Sequence, residues 1–336
     1  MQAMQLFKPN VVEEMPLQPM ELPVPHPAEG QVLLKVQVCG VCRTDLHICE
    51  GELTPPRYPI IPGHQVVGMV EMLGEGVEGL EIGQRVGAAW LGQTCGKCAF
   101  CLRGEENLCP QARFTGFHHD GGYAEWMVAE AGFVYPLPGE LSERQAAPLL
   151  CAGIIGYRAL RKTGLQPGER LGLYGFGASA HLAIQIARYW ECEAFVFTRS
   201  RSHQRHAEAL GAAWVGTPDQ APPQPLDRAV SFAPAGEIIP LALAALRPGG
   251  VLAINAVHAS SIPEMPYSLI YGERVLTSVA NATRQDGMEL LELAVKIPLQ
   301  PDTVTYPLED ANEALLDLKY SRLNGEAVLE IGAYSR

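Results

Sequence analysis

The sequence has 336 residues, enough for two domains, and its 47% hydrophobic and 18% charged residues are typical of a soluble globular protein. Its formal net charge of −12, with a pI near 5.3, argues against a general binder of nucleic acid or of anionic membranes. No apolar run approaches the roughly 18 residues of a membrane span, and the first residues lack the pattern of a signal peptide, so we expect a cytoplasmic protein.

Residues 1 to about 30 are rich in proline and are predicted to be extended, and a strand follows at 31–38. The next stretch brings together a thiol, a guanidinium, a hydroxyl, a carboxylate and an imidazole, from Cys42, Arg43, Thr44, Asp45 and His47. A structural loop has no need for this mixture of side chains, whereas a catalytic metal site does.

Two later residues complete a possible set of metal ligands. His64 follows a Pro-Gly turn, and Cys151 lies between two apolar segments. Together with Cys42 they offer two thiolates and one imidazole, which we interpret as three ligands of a catalytic zinc whose fourth position is left for water or substrate. A strand is predicted directly after His64, at 65–73, and the glycine-rich stretch beyond it suits the turns of a small β-barrel.

Nine cysteines in a chain without an export signal favour metal ligation over disulfides. Four of them have the spacing of a tetrahedral site: Cys95, Cys98, Cys101 and Cys109. Such a site is closed to substrate, so we predict a structural zinc that braces a loop. A disulfide pair or buried free thiols are the alternatives. A nucleic-acid-binding zinc ribbon is disfavoured by the few basic residues nearby and by the negative net charge.

After Cys151 the pattern changes to alternating strands and helices. We predict a helix at 152–160, a buried strand at 171–174, a helix at 181–190 and a second strand at 193–198. A glycine-rich turn joins the first strand to the second helix, as in the dinucleotide-binding βαβ unit.

Each position of that turn has a predicted role. Gly175 makes the turn, Gly177 lets a pyrophosphate approach the backbone, and Ala180 takes the third, packing position. The helix start at Ala178 and Ser179 supplies free N–H groups to the phosphates.

The remaining chain continues the alternation of strands and helices. The predicted helices are 203–210, 238–246, 286–296 and 308–320, and the predicted strands are 229–232, 251–255, 274–279 and 326–331. Alternation of strands and helices indicates a parallel sheet. The predicted fold class is therefore α/β, with a Rossmann-type doubly wound parallel sheet beside a β-barrel domain.

The end of the second strand bears on which dinucleotide binds. An acidic residue there would hold the ribose hydroxyls of NAD and repel a 2′-phosphate. This sequence instead has two guanidinium groups and three hydroxyls, in the run Thr198, Arg199, Ser200, Arg201 and Ser202. Arginine matches a phosphate bidentately, so we predict a preference for NADP(H). NAD(H) with weak discrimination, beside a solvated basic loop, is the alternative.

These motifs, in this order, resemble the zinc-dependent medium-chain alcohol dehydrogenases over essentially the whole chain. The resemblance is strongest to the bacterial branch that acts on short alcohols, which carries Trp-Leu before the cysteine lobe, like Trp90-Leu91 here. It implies a GroES-like catalytic domain at 1–152 and 284–336, a coenzyme domain at 153–283, and an active site between them. It also implies two zinc ions per chain, with the catalytic and structural ligands already named.

The resemblance assigns roles to the neighbours of Cys42. Thr44 and His47 match the relay that carries the substrate proton to solvent, and Arg43 matches a contact to the coenzyme pyrophosphate. Asp45 matches a carboxylate that orients the ligand His64. Homodimers or homotetramers form in the family by pairing of coenzyme domains, and we expect one of these.

The sequence departs from the family at several positions. The usual glutamate after the ligand histidine is Gln65, and the basic residue often found before the last strand is Glu326. The middle glycine of the dinucleotide turn is Ala178, and a threonine that packs on the nicotinamide is Ile155.

The implied activity is reversible hydride transfer between a small primary alcohol or aldehyde and NAD(P), in which zinc lowers the pKa of the bound hydroxyl. Trp90 is bulky and would narrow the substrate pocket, although it could equally pack in the core. A secondary-alcohol, polyol or cinnamyl-type zinc dehydrogenase is the alternative enzyme. A non-catalytic family member is the alternative of another class.

Overall fold

The computed structural model describes residues 1–323 and 325–332. The described chain forms two compact units. The first contains Met1–Cys151, Thr283–Val295 and the chain from Pro301 onward, and the second contains Ala152–Ala282 and Lys296–Gln300. Asn324 and residues 333–336, which fall in the predicted 284–336 segment, lie outside the described residues.

The first segment of unit one is built mainly of short strands. They are β1 (Gln2–Leu6), β2 (Leu17–Glu21), β3 (Gln31–Val41), β4 (Val66–Leu73), β5 (Arg85–Ala88), β6 (Leu91–Gln93), β7 (Arg113–Phe114), β8 (Trp126–Glu130) and β9 (Val134–Pro136). Its helices are α1 (Arg43–Glu50), α2 (Ala99–Leu102) and α3 (Glu143–Pro148).

Unit two alternates helices and strands. In chain order they are α4 (Ile154–Thr163), β10 (Arg170–Tyr174), α5 (Ala178–Tyr189), β11 (Glu193–Phe197), α6 (Arg201–Ala209), β12 (Trp214–Gly216), β13 (Leu226–Ser231), α7 (Ile238–Ala245), β14 (Leu246–Ile254) and β15 (Val275–Ser278). The chain then continues through α8 (Arg284–Lys296), β16 (Thr303–Pro307), α9 (Ala311–Lys319) and β17 (Glu326–Glu330).

Strand β3 is the centre of unit one. It pairs antiparallel with β4, with β8 and with β17, within a sheet of order β16-β17-β3-β4-β5-β9. Cys39 on β3 lies opposite Val66 on β4, and Val41 lies opposite Ala327 on β17. The C-terminal end of β3, the start of β4 and the start of β17 therefore meet, and the metal-ligand candidates lie at this point.

The sheet of unit two is parallel throughout, with the order β12-β11-β10-β13-β14-β15. A buried, mostly aliphatic cluster packs on it, and within this cluster Tyr174 stacks on Phe197 with ring centroids 4.1 Å apart. The predicted Rossmann-type parallel sheet is thus confirmed. The sequence did not reveal β12, because its three residues are too short for a periodic pattern.

One segment falls in a different unit from the one expected. Residues 296–300 lie within the predicted catalytic segment 284–336, but they cluster with unit two. The Gln185 side chain on α5 explains this, because it donates to the Gln300 carbonyl and accepts from the Gln300 N–H, both at 3.0 Å. Among the described residues, no helix has the length and apolar character needed to cross a membrane.

Candidate active site

Cys42 is placed by the junction between β3 and α1. It is the N-cap residue of α1, with extended backbone angles of φ −123° and ψ 165°. Its Sγ accepts a hydrogen bond from the Thr44 N–H at 3.4 Å, and its own N–H donates to Asp45 Oδ2 at 3.0 Å. This reciprocal capping starts the helix at Arg43 and holds the thiol at the helix N-terminus.

His64 is held by the same carboxylate. Asp45 Oδ1 accepts from the His64 Nδ1–H at 3.1 Å and from the Gly63 N–H at 3.1 Å, and both Asp45 and His64 are fully buried. A carboxylate only accepts, so the His64 proton lies on Nδ1 and Nε2 presents its lone pair. Gly63 has a φ of 98°, and a Cβ there would lie 2.8 Å from the Cys39 sulfur, so the turn requires glycine.

Cys151 joins these two residues from a π-helical turn, Leu149–Gly153, between α3 and α4. Its Sγ lies 3.8 Å from the Cys42 Sγ, and the ligand atoms of Cys42, His64 and Cys151 all lie within 4.8 Å of one another. The hydrogen bond from Cys151, together with His64, holds the pKa of the Cys42 thiol well below its usual value despite burial. The structure thus brings the three predicted ligands together.

The donor set fits a zinc ion. Two thiols and one imidazole nitrogen are ligand types that zinc prefers. The His64 Nε2 atom is buried and has no hydrogen-bond partner among the described residues. Such an atom is costly unless something satisfies its lone pair, and a metal between the two sulfurs would do so.

The predicted relay residues lie on one face of α1. Thr44 is buried, and His47, three residues further on, is half-buried at the end of the helix. The Nδ1 atom of His47 is hydrogen-bonded to the carboxylate of Glu52, which lies just beyond the helix. Arg43 is exposed, and its guanidinium donates to the Leu318 carbonyl at 3.5 Å.

Two of the departures noted in the sequence, Gln65 and Glu326, are neighbours in the structure. Both side chains are buried, with exposures of 0% and 2%, and none of their polar atoms has a hydrogen-bond partner among the described residues. Burial raises the pKa of Glu326 well above its usual value, with a contribution from Cys42, and the Gln65 amide opposes that shift. Pairing of β17 with β3 brings this carboxyl close enough to Cys42 and His64 for both to affect its pKa.

Trp90 forms a wall next to His64. The two rings meet edge to face with centroids 5.0 Å apart, and Trp90 stacks on Phe114 at 4.8 Å. Phe117 packs against the indole at 5.9 Å. The indole is thus held in place by aromatic neighbours while it remains in contact with a ligand candidate.

The sulfur atoms of the four-cysteine lobe also lie close together. The Sγ–Sγ distances are 3.6 Å between Cys95 and Cys109 and 3.5 Å between Cys98 and Cys101, and all four sulfurs lie within 4.8 Å of one another. None of these cysteines forms a disulfide. Hydrogen bonds from the backbone N–H groups of Lys97 and Cys98 lower the pKa of Cys95 to about 6, which favours the thiolate that a metal binds. The lobe fits a closed zinc site.

The dinucleotide turn has the form expected for phosphate binding. Gly175 has a φ of 86° and donates its N–H to the Phe197 carbonyl at 2.9 Å. At Gly177 a Cβ would meet no atom within 4 Å, so the backbone there is open to a ligand. Helix α5 begins at Ala178 without a side-chain cap, which leaves its first N–H groups, including that of Ser179, available to an anion.

The loop after β11 is more ordered than its sequence suggests. Ser200 caps α6 by accepting from the His203 N–H at 3.4 Å, and its own N–H donates to Thr198 Oγ1 at 3.4 Å. These two hydroxyls therefore shape the loop. The Arg199 side chain is 74% exposed, and its guanidinium lies 3.8 Å from Glu237. Arg201, the first residue of α6, contacts Gln204 at 3.5 Å.

Three contributors were not predicted from the sequence: Glu52, which contacts His47, Glu106 in the cysteine lobe, and Arg284 at the start of α8. Glu106 accepts from Arg284 Nε at 3.0 Å and from Arg284 Nη2 at 2.6 Å. No local pattern predicts a pair 178 residues apart. A carboxylate five residues after the relay histidine was a signal available for Glu52.

A Cys-His-Cys donor set on a β domain, followed by a glycine turn on a parallel sheet, defines the class of zinc-type medium-chain dehydrogenases. The model of the alcohol dehydrogenase GroES-like domain matches residues 28–139. Over 98% of its length the chain is 46% identical to the probable alcohol dehydrogenase AdhA of Mycobacterium tuberculosis (strain CDC 1551 / Oshkosh), 97% of which is covered. An alcohol dehydrogenase of Geobacillus stearothermophilus is 35% identical over 97% of this chain and 100% of its own.

Solved structures agree with this assignment. A cinnamyl alcohol dehydrogenase from Sorghum bicolor superposes with a TM-score of 0.90 at 26% identity, covering 99% of this chain and 98% of that one. The chain belongs to the zinc-type medium-chain alcohol dehydrogenase family. It is an oxidoreductase that acts on the CH–OH group of its donors.

Proposed function

We propose that this enzyme is a zinc-dependent alcohol dehydrogenase that interconverts a small primary alcohol and its aldehyde. In the oxidation the alcohol carbon gives a hydride to a nicotinamide dinucleotide, and the hydroxyl proton leaves to solvent. The observation that carries the proposal is the meeting of the Cys42, His64 and Cys151 donor atoms within 4.8 Å, with no hydrogen-bond partner for His64 Nε2 in the described part of the chain.

The chain supplies the ligands and their orientation. A zinc ion held by the two sulfurs and the imidazole provides Lewis acidity towards an alcohol or carbonyl oxygen. Asp45 fixes the His64 tautomer through Nδ1, and the capping bonds of Cys42 fix its sulfur. In the same proposal Cys95, Cys98, Cys101 and Cys109 hold a second, structural zinc.

Two residues on α1 move the proton. Thr44 accepts the hydroxyl proton of the substrate and passes its own proton on, and His47 takes it towards solvent. The buried hydroxyl and the half-buried imidazole, one helical turn apart, suit these two steps. Arg43 is assigned to the coenzyme pyrophosphate.

The coenzyme binds at the turn from Gly175 to Ser179. A nicotinamide dinucleotide supplies the hydride acceptor, and the open backbone at Gly177 and the uncapped start of α5 receive its pyrophosphate. We assign a preference for NADP(H) to Arg199 and Arg201, because both guanidinium groups follow β11 where NAD-binding chains carry an acid. NAD(H) is the alternative coenzyme.

The substrate pocket is assigned to Trp90. Its indole contacts His64 and is held by Phe114, so it limits the room beside the proposed zinc. This favours short alcohols. A cinnamyl-type substrate is the second candidate, and it is supported by the 30% identity to a probable cinnamyl alcohol dehydrogenase 3 of Oryza sativa subsp. japonica.

Assembly into homodimers or homotetramers belongs to the same proposal. Strand β15 is an edge of the parallel sheet, and Val275 and Ser278 at its two ends are exposed. An edge strand with unpaired backbone groups is suited to pairing with a second copy.

The test combines a metal measurement with a substrate panel. We expect about two zinc ions per chain, oxidation of short primary alcohols with at least one coenzyme, and loss of both the catalytic zinc and activity in Cys42→Ser. Cys39→Ser is the matched control, because Cys39 is a buried thiol near the end of β3, three residues before Cys42, and lies outside the donor cluster. Wild-type protein without zinc or alcohol oxidation would indicate a non-catalytic family member.

A further inference from the structure

We propose that Glu52 is a positioning residue of the proton relay: it holds the His47 ring in the tautomer with the proton on Nδ1, so that Nε2 is the free base. The inference rests on the proposed function, in which His47 receives the substrate proton. It adds to that function the group that decides which nitrogen of His47 does so.

The backbone around the end of α1 brings the two side chains together. Gly51 ends the helix with a φ of 84° and donates its N–H to the Ile48 carbonyl at 3.3 Å. The Leu53 N–H then donates to the His47 carbonyl at 3.0 Å. Between these bonds the chain reverses, and Glu52 Oε2 hydrogen-bonds the His47 Nδ1.

This contact selects the tautomer. An ionised carboxylate has no proton to give, so the hydrogen between Glu52 and His47 belongs to Nδ1. In a neutral imidazole the other nitrogen then carries the lone pair. Asp45 fixes His64 in the same way, through Nδ1 at 3.1 Å. Helix α1 and its C-terminal turn thus supply the carboxylates of two carboxylate–imidazole pairs, one at the proposed ligand His64 and one at the relay residue His47.

The neighbouring acid is engaged elsewhere. Glu50 Oε1 accepts from the Lys319 ammonium at 2.7 Å and from the Val12 N–H at 3.2 Å. Lys319 also binds Glu13 at 2.8 Å. Glu52, 53% exposed, is therefore the carboxylate of this turn that serves His47, which is 18% exposed. Glu50 provides a matched control.

The first readout requires neither substrate nor coenzyme. Protein labelled with ¹⁵N-histidine is compared by NMR for wild type, Glu52→Ala, Glu52→Asp and Glu50→Gln, and His47→Gln identifies the His47 signals among the nine histidines. We expect a protonated Nδ1 and a bare Nε2 in wild type, in Glu52→Asp and in Glu50→Gln. Glu52→Ala should lose this preference. A wild-type ring with its proton on Nε2, or an unchanged ring in Glu52→Ala, would overturn the proposal.

The second readout is the single-turnover rate of alcohol oxidation. Glu52→Ala should lower this rate about tenfold, with little change in the KM for alcohol, and Glu52→Asp should recover most of it. Glu50→Gln should retain the wild-type rate. If His47→Gln lowers the single-turnover rate but Glu52→Ala does not, the role of Glu52 is refuted and the relay is not. If His47→Gln retains the wild-type rate, the relay in the proposed function is refuted. Melting temperatures of all variants separate these effects from misfolding.

Discussion

Arg284, at the start of α8, clamps Glu106 in the cysteine lobe. Its guanidinium donates to both carboxylate oxygens, at 3.0 Å and 2.6 Å, and its backbone N–H donates to Glu106 Oε1 at 2.8 Å. The same guanidinium reaches the Gly132 carbonyl at 3.0 Å and lies 4.3 Å from the ring centroid of Phe133. The start of α8, where the chain re-enters unit one, therefore holds the cysteine lobe in place, in addition to any metal.

The clamp between Arg284 and Glu106 should contribute more to the free energy of unfolding than an exposed ion pair does. We expect Arg284→Gln to lower the free energy of unfolding by about 2 kcal/mol, because it leaves the buried Glu106 carboxylate without its charged donor. Arg103→Gln is the control: its partner Glu105 is 48% exposed, and loss of that pair should cost less than about 1 kcal/mol. Urea denaturation of the zinc-loaded variants measures both, and equal effects would contradict the clamp.

Asp227 predicts how unit two responds to acid. Burial raises its pKa, but hydrogen bonds from Arg247 and from the backbone and side chain of Arg170 outweigh burial, so the pKa is lowered from 3.8. A carboxyl with a lowered folded pKa stabilises the protein above its unfolded pKa, and that stability is lost as the pH falls through the folded value.

The measurement compares melting temperatures of wild type and Asp227→Asn at pH 7 and pH 3. The variant should be several degrees less stable at pH 7, because two arginines lose their carboxylate. The gap should narrow at pH 3, because this pH lies below the ordinary aspartate pKa of 3.8 and the carboxyl of the unfolded chain takes up a proton there. Glu208→Gln, an exposed change in the same unit, should match wild type at both values. A gap that widens in acid would be inconsistent with the pKa direction.

Coenzyme preference should depend on the loop after β11. We expect the double change Arg199→Ala and Arg201→Ala to lower kcat/KM for NADPH about tenfold to hundredfold and to leave the value for NADH within about twofold. Glu237→Gln should raise kcat/KM for NADPH, because Glu237 lies 3.8 Å from the Arg199 guanidinium and competes with the 2′-phosphate for it. Equal losses for both coenzymes would remove the assignment of these arginines to a 2′-phosphate.

Trp90 should determine the length of alcohol accepted. Trp90→Ala opens space beside His64, so kcat/KM for hexanol relative to ethanol should rise about tenfold or more. Trp90→Phe retains a ring for Phe114 to stack on and should change the ratio far less. If the ratio is the same in all three proteins, the indole does not line the pocket and acts only in packing.

Gln65 should not tolerate replacement by glutamate. Gln65→Glu would bury a second carboxyl beside Glu326, and two buried carboxyls without a cation should cost about 3 kcal/mol or more. The double variant Gln65→Glu with Glu326→Gln, which exchanges the amide and the carboxyl between the two positions, should recover most of the lost stability. Unfolding of the metal-free proteins tests this, and additive effects of the two changes would show that the side chains do not interact.

The sequence predicted those features whose chemistry is local. Gly175 and Gly177 belong to a turn of five residues, and Cys95, Cys98 and Cys101 lie so close in sequence that a single loop brings their sulfurs together. The alternation of strands and helices predicted the parallel sheet for the same reason, because each element carries its own periodicity. These patterns need no knowledge of distant contacts.

Long-range partners were not predictable in this way. The clamp between Glu106 and Arg284 joins positions 178 residues apart, and Gln65 meets Glu326 only because β17 pairs with β3. Gln185 draws residues 296–300 into unit two by two hydrogen bonds that no periodic pattern encodes. Pairing of this kind depends on the completed fold, so it becomes visible only in three dimensions.

The placement of β17 beside β3 has a consequence for biosynthesis. A ribosome makes β3 first and β17 almost three hundred residues later, so residues 38–41 of β3 lack their partner strand on one side through most of translation, whereas residues 31–35 can pair with β8. Unit two is nearly continuous in sequence and can complete its sheet in the meantime. Nascent chains should therefore expose this apolar edge until the last strand emerges, which makes this stage the one at which chaperones matter most.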